Sequence, residues 1–164
     1  MQDLLEPASR LGALLAQRRQ TVSVAEASTG GLLSAALLAM PGASAYFRGG
    51  SEIYTAEARA AFGITPDDMT GLRSSSEPYA RLLAERARLR LGATWGLAET
   101  GAAGPSGNRY GDLAGHSCLA VSGPVMLSRV IATHSNGRVA NMHAFALAAL
   151  ALLLEALTAA ETAH

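Results

Sequence analysis

Leu11, Leu14 and Leu15 recur at helical spacing behind Pro7, which predicts a first helix from about Pro7 to Arg19. "TVSVAE" then alternates valine with smaller residues and predicts a strand ending at Glu26. "STGGLLSAALLAM" predicts a helix with Ser28 or Thr29 as N-cap and Pro41 as its stop. "AYFRGGSEIY" is a second strand, whose paired glycines mark a bulge or the close approach of another segment. "TAEARAAF" is a short helix ended by Gly63, and "TPDDM" a further turn capped by Thr65. "SSSEPYARLLAERARLRLG" is a longer amphipathic helix between a Ser76 cap and Gly92. "ATWGLAET" and "HSCLAVSG" are strands flanking a glycine-rich loop, "MLSRVIATH" is another, and a closing helix runs from Asn136 to about Glu161.

Helices interleaved with about five strands predict a layered α/β domain. The early strands are far enough apart in sequence to lie parallel. The short link between "CLAVSGP" and "MLSRVIA" predicts an antiparallel hairpin, so the sheet is mixed.

The 164 residues fit one domain, 1–164, with no internal repeat or linker. Charged residues make up 16% and formally cancel, which excludes general attraction to nucleic acid or an anionic membrane. All 13 basic residues are arginine. No lysine amine is present to act as a general base, and a guanidinium stays protonated at working pH. The lone Cys118 excludes an internal disulfide and a cysteine-rich zinc site. No metal site or cofactor is expected, because His116, His134, His143 and His164 lack ligand spacing. The terminal His164 is expected to be disordered. "MQDLLEPASRLGALLAQRRQ" is not a signal peptide, and "FALAALALLLEAL", short and broken by Glu155, reads as a buried helix, so the expected location is the cytoplasm.

Three constellations carry candidate chemistry. "AEASTGG" (residues 25–31) joins a strand to a helix, where glycines and free N–H groups suit phosphate or carboxylate, or simply make a capped turn. "TGAAGPSG" (residues 100–107) is a tight loop after a second strand ending in glutamate. Ligands of open α/β sheets collect at strand C-termini, so two such loops on neighbouring strands would share a pocket. "PGASAYFRGGSEIYTAEAR" (residues 41–59) holds Ser44, Tyr54 and Arg59, which are either a nucleophile with partners or a turn, a strand and a helix.

In this order the motifs resemble the CinA C-terminal domain family, which includes nicotinamide mononucleotide deamidases, from about Leu11 to Leu157. The family reads AESCTGG where this chain has "AEASTGG", PGSSAYF-x-GG where it has "PGASAYFRGG", VAYSNEAK where it has "EIYTAEAR", and TGIAGPGGG where it has "TGAAGPSGN". The chain is similar to a free-standing version, without the molybdopterin-binding-like domain that precedes this one in longer members. The resemblance implies a three-layer α/β/α fold with a mixed, mostly parallel sheet, a homodimer or higher homo-oligomer, and metal-free hydrolysis of a nucleotide carboxamide to carboxylate and ammonia. It implies Ser44 as nucleophile with Tyr54 and Arg59 beside it. It also implies a nucleotide held by Glu26, Ser28, Thr29, Gly30, Gly31, Thr100, Gly101, Ala103, Gly104, Pro105 and Arg138.

The departures fall on the proton-transfer groups. Arg59 replaces the family lysine, Ala27 the serine of ESC, and Met142 a second arginine of the closing helix. Asp112 stands where the family has another lysine. A Tyr54 phenolate beside Arg59, or His116 or His143, is then the candidate proton acceptor. Two alternatives stand beside deamidation: a catalytically impaired nucleotide-binding module, and an amide hydrolase with another substrate.

Overall fold

The computed structural model describes residues 1–162, so His164 lies outside the described residues. Five strands, β1 (Val22–Glu26), β2 (Phe47–Glu52), β3 (Trp95–Ala102), β4 (His116–Ser122) and β5 (Leu127–Ala132), form one sheet of order β2-β1-β3-β4-β5. β1 pairs parallel with β2 and β3, while β4 is antiparallel to both neighbours. Four of the five strands therefore point the same way, giving the mixed, mostly parallel sheet expected.

Period-two alternation sorts the strand side chains into two cores. Val22, Val24, Trp95, Leu97, Leu119 and Val121 face α1 (Gln2–Gln17), α2 (Leu32–Leu38) and α5 (Arg138–Thr162). Ala25, Ala98, Cys118 and Ala120 face α4 (Glu77–Arg90) on the other side, with Phe62, at the end of α3 (Ala56–Ala61), in the same cluster. The residues toward α4 are small because that helix rides close to the sheet. A Cβ built on Gly96 would stand 1.9 Å from the Ala84 carbonyl oxygen.

Helix α1 starts before the predicted Pro7. Leu4, Ala8, Leu11 and Leu15 form one fully buried stripe, so packing carries the helix through the proline. The paired glycines of β2 serve both predicted purposes. The register against β1 shifts between Val22 and Ser23, and a Cβ on Gly50 would meet Ser34 Oγ at 1.9 Å. Ser76 Oγ caps α4 by accepting from Tyr79 N at 3.4 Å, as expected. α5, at 25 residues, is longer than the predicted apolar stretch and has the length and composition of a membrane span. One face is nevertheless buried in the core through Phe145, Ala149, Leu150, Leu153 and Leu157, and Glu155 on another face pairs with Arg129 at 2.8 Å.

Candidate active site

β1 ends at Glu26, in register with Glu99 of β3, which runs on to Ala102. Both carboxylates are fully buried, and among the described residues neither meets a cation. Glu26 accepts from Leu33 N (3.1 Å), Ser34 N (3.0 Å) and Ser34 Oγ (2.7 Å). It thus caps α2, the role expected of Ser28 or Thr29, while the N-cap residue itself is Gly31, with φ of 91°. Glu99 accepts from Thr29 N (2.9 Å), Ala27 N (3.3 Å), Ser117 Oγ (2.8 Å) and Ser28 Oγ. Thr29 Oγ1 lies between the two, 2.7 Å from Glu26 and 3.2 Å from Glu99. Burial pushes the Glu99 pKa above the ordinary carboxylate value, against the pull of its donors.

This geometry corrects the anion site expected at residues 29–31. The chain's own glutamates take the N–H groups of Thr29, Leu33 and Ser34, and Thr29, Gly30 and Gly31 line neither cavity described next. Glu26 likewise supports the β1–α2 turn instead of facing a ligand.

Two adjoining cavities open at the C-terminal ends of β1, β2 and β3, sharing Tyr54 and Gly101. The larger, about 310 Å³, is lined by Ala27, Tyr54, Arg59, Ser74, Ser75, Tyr79, Thr100 and Arg109 among others. The smaller, about 210 Å³, is lined by Ser28, Ala103, Gly104, Ser106, Gly107, Asn108 and Arg138. Three arginines and no carboxylate line the pair, so the space suits an anion.

Packing fixes the lining. Arg138, from the first turn of α5, donates to the Gly104 carbonyl (2.6 Å) and to Tyr54 Oη (3.1 Å). Arg59 donates to Ser74 Oγ at 3.1 Å. The buried Asn141 holds the glycine loop by donating to the Ala103 carbonyl at 2.8 Å. Gly104 has φ of 108°, and a Cβ there would stand 2.9 Å from the Asn136 carbonyl oxygen, so the loop's close approach requires glycine. Arg73 and Asn108 bind Asp112 (2.6 and 2.8 Å), tying the rim together and lowering the aspartate's pKa, with the Arg73 hydrogen bond the largest cause.

The structure gathers Ser28, Tyr54, Arg59, Thr100, Gly101, Ala103, Gly104 and Arg138 from the expected set. Pro105 is exposed beside them without lining either cavity. Ser44 is not gathered within the chain. It is exposed, on a 3₁₀ turn (Ala43–Ala45) before β2, whereas Tyr54 follows the end of that strand. Six strand residues at about 3.3 Å each put roughly 20 Å of sheet between the two. The partner of the Tyr54 hydroxyl is Arg138, not Arg59. His116 bonds the Ser75 carbonyl (2.9 Å) and His143 meets Asp3 (3.2 Å), and neither lines either of these two cavities.

Sequence reasoning missed Ser74, Ser75, Tyr79 and Asn141. Ser74 and Ser75 precede the Ser76 cap in a run that reads as an ordinary helix start. Ser75 adopts φ of 55°, rare for a non-glycine residue, while buried at the cavity wall.

The CinA C-terminal domain family model matches residues 5–157. A CinA-like protein of Cyanothece sp. is 42% identical over 118 residues, covering 71% of this chain and 28% of that protein. A CinA-like protein of Desulfosudis oleivorans is 36% identical over 148 residues, 88% of this chain and 36% of the other. The chain thus spans well under half the length of these curated relatives. Among solved structures, the competence/damage inducible protein CihA from Agrobacterium tumefaciens superposes with TM-score 0.86 at 31% identity, over 95% of this chain and 96% of that one. A CinA superfamily protein from Klebsiella pneumoniae gives TM-score 0.87 at 25% identity, over 94% and 98%. With the family model spanning the sheet and both cavities, the chain belongs to the CinA C-terminal domain family.

Proposed function

We propose that the protein binds a mononucleotide bearing a carboxamide, of the nicotinamide mononucleotide kind, and hydrolyses the amide to carboxylate and ammonia. The observation that carries the reading is the pair of adjoining cavities, with Arg59, Arg109 and Arg138 and no carboxylate in their lining. Arginines bind a phosphate by charge-assisted hydrogen bonds, and hydroxyls beside a glycine loop suit an amide and the oxyanion formed from it. A cytoplasmic location and a homodimer belong to the same proposal.

A second reading is nucleotide binding without turnover. It is favoured by the larger cavity, where Ala27 and Arg59 replace the family's serine and lysine on one wall. The hydroxyl and the titratable amine are both gone from that wall, and a missing general base costs roughly 10²–10⁴ in rate.

Mixing the protein with nicotinamide mononucleotide and following ammonia, beside a calorimetric titration, separates the two. Ammonia release with saturable binding supports hydrolysis, and saturable binding with background release supports the binding module. Arg138→Ala should weaken binding roughly 10- to 100-fold, the loss of one charge-assisted hydrogen bond. Absence of both heat and ammonia overturns the nucleotide assignment.

A further inference from the structure

We infer that Ser28 and Glu99 form a nucleophile–base pair opening into the smaller cavity. Ser28 stands where the family motif has cysteine, and it follows Ala27, where the motif has serine. Its hydroxyl donates to Glu99 Oε1, while its residue lines the cavity formed with Gly101, Gly104, Gly107 and Arg138. A serine that lines a ligand space while its hydroxyl meets a buried carboxylate has the connectivity of an activated nucleophile.

Glu99 is built as an acceptor. Thr29 N, Ala27 N and Ser117 Oγ fix its two oxygens at 2.9, 3.3 and 2.8 Å. No cation neutralises it among the described residues, and burial raises its pKa, which strengthens it as a base. Gly104, Ser106 and Gly107 line the same cavity, and their N–H groups meet no acceptor among the described residues, which leaves them available to an oxyanion.

The inference rests on the amide-hydrolysis reading for its natural substrate, and the step balances within it. Ser28 Oγ adds to the carbonyl carbon as its proton passes to Glu99. The C–N bond breaks and the nitrogen leaves as ammonia with that proton. Water then adds to the ester and gives a proton to Glu99. The Ser28 oxygen departs with this proton and the carboxylic acid is released.

A fluorophosphonate probe tests the pair without a natural substrate. Phosphonylation of the whole chain, located by tandem mass spectrometry, should fall on Ser28, vanish in Ser28→Ala and persist in Ser44→Ala. The rate should drop about 10²-fold or more in Glu99→Gln. Ser28→Ala leaves the other donors to Glu99 in place, so loss of label there is not loss of fold, and a thermal melt of each variant checks this. The pH profile of labelling keeps the base testable even where Glu99→Gln unfolds. The rate should rise with pH through one ionisation above the ordinary carboxylate range, with Glu26 facing Glu99 through Thr29, and Cys118 on β4 the other titratable neighbour. Label on Ser44 or absent from Ser28 overturns the pair, and a flat profile removes Glu99 from it. Label on Ser28 without ammonia from nicotinamide mononucleotide retains the pair and overturns only the substrate.

Discussion

Glu99 trades solvent for four protein donors and a share of Thr29, and it does so without a counter-ion among the described residues. A glutamate titrates near 4.5 when exposed, and burial lifts the folded value above that. Between the two values the folded chain holds the proton more tightly than the unfolded chain does. The contribution of this group to stability is therefore fully present below 4.5 and is lost as pH rises through the folded value. Glu99→Gln removes that dependence. Its melting temperature relative to the parent should climb as pH moves from acid to neutral, and a constant difference across that range would show that Glu99 carries no such burden. The sequence made Glu26 and Glu99 visible near strand ends, and the resemblance gave only Glu26 a role, on the nucleotide. The fold divides them, because Glu26 faces the first turn of α2 and Glu99 faces Ser28. That division depends on side-chain direction across two strands, which a linear motif does not encode.

At the scale of elements, strands and helices were legible because alternation and caps are local. Ser76 caps α4 as its neighbours predict, and the β4–β5 hairpin follows from its short link. What sequence did not reveal was distance between layers. α4 lies so close to β3 that Gly96 has no room for a side chain, its Cβ position being 1.9 Å from the Ala84 oxygen. The neighbour is backbone, which cannot rotate away. Gly96→Ala should cost about 1–3 kcal/mol in a denaturant titration, as helix and sheet are forced apart. A stability within a few tenths of a kcal/mol of the parent would mean that the helix shifts freely. Since Tyr79 and Ser75 lie at the start of α4, the same displacement widens the larger cavity.

For the molecule as a whole, the parallel arrangement of β1, β2 and β3 brings three chain segments to one end of the sheet. The glycine loop after β3, the Tyr54–Arg59 segment after β2 and Ser28 after β1 converge there, with Arg138 closing from α5. The resemblance assigned all four segments to one site, and the fold brings them around the two adjoining cavities. It also named Ser44, which the chain path carries to the opposite end, because a residue before a strand and a residue after it are separated by the strand's whole length. Two distances in sequence look alike on paper, and the topology makes one short and the other long. The most direct test is a crystal structure with nicotinamide mononucleotide bound. With the arginine-lined cavities as the site, the phosphate should lie on Arg109 or Arg138 and the nucleotide should fill the space around Tyr54, with Ser28 within reach of the carboxamide. A nucleotide bound beside Ser44, with the arginine-lined cavities empty, would contradict it.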